Sequence, residues 1–319
     1  MLVPEPLRQA FSLTPEYRDY VWGGNRLKPG HSPIAEAWIV YERDEIASGP
    51  LAGRTLADAA VAYGEALLGR RAVQRTGTRF PLLIKLLDCA DWLSLQVHPN
   101  DEQAVRLEGA GQFGKTEAWH ILDAQPDAQI LCGLRPGATH DVLAQAIRSG
   151  TLLDWMQRLS LQAGDTILIS PGMIHAIGPG ILLYEVQQTS DITYRVFDWN
   201  RPAAQGRKLH IEQSLAVADV NARGQVLPQP QLADGDQRKL VACPYFTLQV
   251  LAGQSNSITL DTGGESFHAL TLIEGRAQVE GANWGLELDR FGTVVIPAAC
   301  GSYRVQPRGS FRAPKASVV

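Results

Sequence analysis

Cysteine is scarce in this 319-residue chain, and the four present (Cys89, Cys132, Cys243 and Cys300) are widely scattered, with no CxxC pair. That spacing argues against a thiolate zinc site and a disulfide framework, and it suits reduced thiols in the cytosol. Also missing is any run of about 18 apolar residues, so no membrane-spanning helix is expected. No basic stripe interrupts a net charge of −4, which speaks against nucleic acid or anionic membranes as partners. The opening stretch MLVPEPLRQAFSL has neither a basic region nor an apolar core, so no signal peptide is expected and a cytoplasmic location is. Low-complexity tracts and short-period repeats are absent too.

What remains is ordinary globular material, 45% hydrophobic and 19% charged, long enough for one large β-architecture or two domains. Apolar spacing predicts a helix between Thr55 and Arg75, and the run Phe80–Leu87 reads as a buried strand. Asn100 or Asp101 is expected to cap a short helix reaching Arg106. Residues 139–159 read as one helix, or two broken at Gly150, and a last helix is expected over Ile211–Val220. Strands are predicted at Thr166–Ile169 and Ile181–Gln188. The polar segment Gln225–Asp236 reads as a linker. From Arg238 onward short strands alternate with glycine turns, which is all-β material. The expected division is therefore a first domain over residues 1–224 and a C-terminal β domain over 238–319.

Chemistry concentrates between residues 85 and 195. In Ser94-Leu95-Gln96-Val97-His98-Pro99-Asn100-Asp101, side chains two apart share a strand face, so Ser94, Gln96 and His98 point together. Lys115-Thr116-Glu117 then pairs an ammonium with a carboxylate, and Pro171-Gly172-Met173-Ile174-His175 places a second imidazole behind a tight turn. Two histidines, a glutamate and a glutamine from separate strands suit an open-topped metal site. A lone histidine on an apolar strand is more often a satisfied core residue. Here the companions weaken that interpretation, and a carboxylate at the head of an apolar strand needs a compensating charge. His120, on the opposite strand face from Glu117, reads as structural. Around the ligands stand Lys85, alone in an apolar strand, and Arg195, Glu185 and Asp191. Such a mixture suits a phosphorylated polyol better than an apolar ligand.

These segments closely resemble type I mannose-6-phosphate isomerase (phosphomannose isomerase). The resemblance is carried by FPLLIKLLDCADWLSLQVHPND, GKTEAWHIL, GDTILISPGMIHAIGPGILLYEVQQTSDITYRVFDWNR, the early Val21-Trp22-Gly23-Gly24 and Glu36-Ala37-Trp38. It covers essentially the whole chain and has the look of the short bacterial form. It implies a mainly β fold of cupin-type jelly-roll barrels, bicupin-like, with a few short helices. Matched motif by motif, it implies one Zn²⁺ per chain on Gln96, His98, Glu117 and His175. Arg195, Lys115, Glu185 and Asp191 match catalytic positions, and Lys85 and Ser94 match the substrate pocket. Departures are small: Ser170 stands in place of a common proline, and His120 where an aromatic is frequent. The C-terminal block resembles a second cupin half without ligands.

The implied reaction interconverts mannose 6-phosphate and fructose 6-phosphate through a cis-enediol. It needs a Lewis acid at the sugar oxygens and a base to move one proton. Lys115, Glu185 and Asp191 stay open as that base, and the chain leaves monomer and homodimer open as well. Three rivals stand beside this expectation: an Fe(II) cupin oxygenase, which two histidines and a carboxylate also suit; a non-catalytic sugar-phosphate-binding cupin; and an isomerase for another sugar phosphate.

Overall fold

The structure, a computed structural model, describes residues 7–202 and 207–319. The start of the opening stretch, read above as lacking a leader, lies outside them. Among the described residues no helix is long and apolar enough to cross a membrane. The chain is mainly β among the described residues, as expected, with seven short α-helices.

One compact unit contains Tyr17–Ala37 and Lys85–Gln229. Its five-stranded sheet runs in the order Tyr194–Phe197, Leu95–Val97, His175–Ile177, Gln129–Leu134 and Met156–Ser160. A seven-stranded sheet has Glu117–Ala124 and Ile181–Gln188 at its centre, flanked by Thr166–Ile169 on one side and Leu82–Cys89 on the other. Period-two alternation decides what each strand of the smaller sheet presents to either side. Leu95, Val97, Leu131, Ala176, Tyr194 and Val196 pack outward with Leu143, Ala146, Leu152 and Val217 of the helices. Ile130, Cys132 and Ile177 face inward and share a core with Trp119, Ile121, Ile167, Ile169 and Leu183 of the larger sheet. The residues between the outward ones, Gln96, His175 and Arg195, are thereby turned toward the space between the sheets.

Several element boundaries differ from expectation for identifiable reasons. The helical stretch after Thr55 is three pieces, Leu56–Tyr63, Glu65–Leu68 and Arg70–Thr76, parted at Gly64 and Gly69. Gly69 has φ +89° and leaves no room for a Cβ, which would lie 2.4 Å from the Glu265 carbonyl oxygen. Helices His140–Ser149 and Leu152–Trp155 are separated at Gly150, but the expected tail beyond Trp155 is the strand Met156–Ser160, held by pairing to Gln129–Leu134. The last helix ends at Val217, with Ala218 already extended. Asn100 and Gln103 form a reciprocal capping box on Asp101–Glu108. Within the stretch expected to be a linker, Val226–Leu227 pairs with Thr166–Ile167.

The second unit contains the residues up to Glu16, then Trp38–Ile84 and Pro230–Val319. This differs from consecutive domains at 1–224 and 238–319, because residues 38–84 pack with the C-terminal strands. Phe80 lies on Phe267 with ring centroids 4.5 Å apart, and the Gly69 backbone sits against Glu265. Within this unit, the Asp44 carboxylate is buried and accepts a hydrogen bond from the Tyr41 backbone N–H. Burial, only partly offset by that bond, pushes its carboxyl up to about 7. Unfolding therefore releases a proton between about pH 4 and 7, and stability falls as pH rises through that window. Asp44→Asn should raise the thermal midpoint at pH 8, through roughly 2–4 kcal/mol of relieved penalty. At pH 4 it should change little. Thermal scans at both pH values test this, and an equal effect at the two would count against it.

Candidate metal centre

The expected metal ligands arrive from both sheets. His175 pairs with Gln96, and Gln96 pairs with Arg195, so these three form one row across adjacent strands of the smaller sheet. His98 follows the end of the 95–97 strand. Glu117 opens its strand in the larger sheet, held in place by local hydrogen bonds. The Thr116 N–H donates to Gln188 Oε1 at 3.0 Å, and the Gln188 amide donates to Asp101 at the head of the capped helix.

His98 Nε2 lies 3.4 Å and His175 Nε2 3.7 Å from the Glu117 carboxylate. Ligand atoms of these three residues all fall within 4.8 Å of one another, and among the described residues they are the only such cluster. Gln96 Nε2 lies 3.3 Å from His175 Nε2, so a turn of its amide brings Oε1 to the same place. The tautomers follow from the outer contacts. His98 Nδ1 sits 2.8 Å from the Ile192 carbonyl and His175 Nδ1 2.9 Å from the Met173 carbonyl. A carbonyl only accepts, so each Nδ1 carries the proton and each Nε2 directs a lone pair at Glu117.

Burial also keeps both imidazoles neutral. The His98 pKa is driven far down by desolvation and by Lys115, and that of His175 is lowered chiefly by desolvation. For Glu117 burial works upward, but the Lys115 ammonium prevails and holds the carboxylate ionised. Apart from the Lys115 ammonium, its two oxygens have no hydrogen-bond donor among the described residues, and only 1% of the residue is exposed. Lys115 Nζ, 2.8 Å from Glu117 and 3.5 Å from His98 Nε2, is the one positive group in contact with them. Three electron-pair donors converge here with the Lys115 ammonium beside two of them, and they repel one another unless a cation sits among them. Two nitrogens with carboxylate and amide oxygens suit a divalent cation.

Next to this cluster lies a second ionic group. Glu185 pairs in register with Trp119 and accepts its indole N–H at 2.8 Å. Lys85 Nζ is 3.2 Å from Glu185 and 3.7 Å from Glu36. Burial disfavours the Lys85 ammonium, yet Glu36, Glu185 and Glu117 keep its pKa above the ordinary value. Burial and then the Glu117 charge raise that of Glu185. Lys85, expected on the substrate side, is thus already flanked by carboxylates. Ser94 is buried with an unbonded hydroxyl. Among the described residues the Arg195 guanidinium makes no ion pair, and the nearby Asp198 is engaged by Arg201 and Arg207. Asp191 is exposed, and its side chain takes no part in the network among the described residues.

Sequence reasoning missed Glu36 and Trp119 as parts of this setting. Glu36 is a single charge in an apolar strand, the same signal that picked out Lys85. Trp119 has no sequence mark beyond sharing a strand face with Glu117. His120 is structural, as expected, bonded through Nδ1 to Thr166.

Comparison with known proteins agrees with this geometry. The profile for phosphomannose isomerase type I, catalytic domain, matches residues 10–113. Mannose-6-phosphate isomerase ManA of Bacillus subtilis is 31% identical over 305 residues, covering 92% of this chain and 94% of its own. This chain belongs to the type I phosphomannose isomerase family. Mannose-6-phosphate isomerase of Streptococcus mutans is 36% identical over 242 residues, covering 72% of this chain and 74% of its own. The crystal structure of the mannose 6-phosphate isomerase from Bacillus subtilis superimposes with TM-score 0.86 at 27% identity, covering 96% of this chain and 99% of that one.

Removing one imidazole should remove the metal. His175→Ala is expected to purify with little bound divalent metal and to lose the rise in thermal midpoint that metal gives over chelated protein. Elemental analysis with paired melts checks this. Wild-type metal content in the variant would exclude His175 as a ligand.

Proposed function

We propose that this protein is a zinc-dependent aldose–ketose isomerase interconverting mannose 6-phosphate and fructose 6-phosphate, with one Zn²⁺ per chain on Gln96, His98, Glu117 and His175. The observation that carries this is the convergence of two lone-pair-bearing Nε2 atoms on a buried carboxylate whose one charged contact among the described residues is the Lys115 ammonium. Relatives named for that reaction, one of them matched over 94% of its length, support the substrate. Bound there, a zinc ion would supply the Lewis acidity that stabilises charge developing as the sugar carbonyl enolises.

The chain's own residues account for the remaining steps. Arg195, in the same row as Gln96 and without an ion pair among the described residues, holds negative charge on the enediolate or the phosphate. Glu185 is the group best suited to carry the proton between C1 and C2, because its raised pKa brings it nearer to working pH. Trp119 fixes one of its oxygens and Lys85 lies beside the other, so Lys85 acts as the charge partner of Glu185 more than as a phosphate anchor. Lys115 neutralises Glu117 and is the second proton-moving candidate. Exposure sets Asp191 aside, and Ser94 offers a substrate hydroxyl contact. Four free cysteines support work in a reducing cytoplasm.

A coupled assay should show mannose 6-phosphate converted to fructose 6-phosphate, abolished by chelation and restored by zinc. Full turnover after exhaustive chelation would refute the metal role, and tight sugar-phosphate binding with no turnover would make the protein a sensor. Arg195→Ala should keep its zinc and lose turnover on the order of 10²-fold. An unchanged rate would remove Arg195 from the mechanism.

A further inference from the structure

His210 stands at the start of the helix Ile211–Val217, in the position where a side chain ordinarily caps the first turn, yet its imidazole makes no capping bond. It turns instead to the strand that carries Arg195. The Arg195 backbone N–H donates to His210 Nδ1 at 3.3 Å, and the His210 N–H returns a bond to the Arg195 carbonyl at 2.8 Å. The His210 carbonyl in turn accepts from the N–H and the hydroxyl of Ser214, at 2.8 and 2.7 Å, which ties the pair to the helix. Both main-chain groups of Arg195 that the 95–97 strand does not use are thereby taken up by one residue.

We infer that His210 is a positioning residue for Arg195: its neutral imidazole, accepting at Nδ1, fixes the backbone from which the guanidinium reaches substrate. Acceptance at Nδ1 requires the Nε2–H tautomer. Protonation would set an N–H against an N–H and release the clamp. The groups facing the ring are Arg195, Lys208 and Glu108, with the Tyr194 ring 6.1 Å away and its hydroxyl bonded to Glu108. Burial first, then Arg195 and Lys208, lower the imidazole pKa, which keeps the accepting form through neutral pH. The sign follows: the clamp is intact above the lowered pKa and lost as pH falls through it.

Because it rests on the role proposed above for Arg195, the test runs three His210 variants beside Arg195→Ala, all on zinc-loaded full-length protein. Asparagine places Oδ1 near the position of Nδ1, whereas glutamine does not. His210→Ala and His210→Gln should lower kcat/KM for mannose 6-phosphate roughly 5- to 10-fold, and His210→Asn should restore most of it. The wild-type advantage over His210→Ala should shrink as pH drops below the ordinary imidazole range, a ratio from which acid effects common to both proteins cancel. Wild-type kinetics in His210→Ala, an asparagine variant as weak as alanine, or a ratio constant with pH would each overturn the inference. If Arg195→Ala is itself fully active, the mechanism fails; if it is impaired while His210→Ala is not, His210 alone fails.

Discussion

Glu117 holds a carboxylate with 1% exposure against two imidazole lone pairs, and the rest of the site is arranged around making that tolerable. An ionised carboxylate out of water is expensive unless paired. Its nearest charge is a single ammonium, on Lys115, two residues back on the same segment. The imidazoles offer no proton, because each has given its Nδ1–H to a backbone carbonyl. The fold thus spends part of its stability keeping donors apart from protons, which makes sense for a site built to take up a cation.

The placement is a product of the sheets. Strand alternation sends Leu95, Val97, Ala176, Tyr194 and Val196 outward under the helices, and this obliges Gln96, His175 and Arg195 to face inward. A one-residue slip of the 95–97 strand would bury Gln96 under the helices and turn Leu95 and Val97 into the site. The apolar packing on the outer face therefore specifies the polar chemistry on the inner one. The Gln188 bridge from the Thr116 N–H to Asp101 performs the same service for Glu117 from the opposite sheet.

Local pattern made much of this legible in the chain. Period two put Gln96 and His98 together, and a turn before His175 explained a second imidazole. Lys85 and Glu117 stood out as charges in apolar strands. What stayed hidden was non-local. The carbonyls that set the tautomers belong to Ile192, 94 positions from His98, and to Met173, whose role depends on the turn geometry. Glu36 joins Lys85 only through sheet packing. Asp191, expected among the catalytic positions, is exposed on a segment before Tyr194 that is not strand. The interleaving of the two units was likewise invisible, because Phe80 meets Phe267 through contacts that no spacing announces.

Charge balance links the metal cluster to the choice of substrate. Among the ion pairs of the described residues, the buried Glu36, Glu117 and Glu185 are joined by Lys85 and Lys115, three carboxylates to two ammonium groups, which gives an excess of negative charge. A dication among the ligands reverses that excess, and Arg195, which makes no ion pair among the described residues, adds to the positive side. The same pocket that would repel an anion when empty of metal then attracts one. A sugar carrying a phosphate dianion is the natural guest for a site with that sign. The carboxylates do not oppose this: Glu185, with its raised pKa, can accept a proton from carbon more readily than an ordinary exposed carboxylate, and Lys85 beside it balances its charge when the proton leaves. Metal affinity, anion attraction and proton transfer thus draw on one set of buried charges, so a change at any of them is felt in all three.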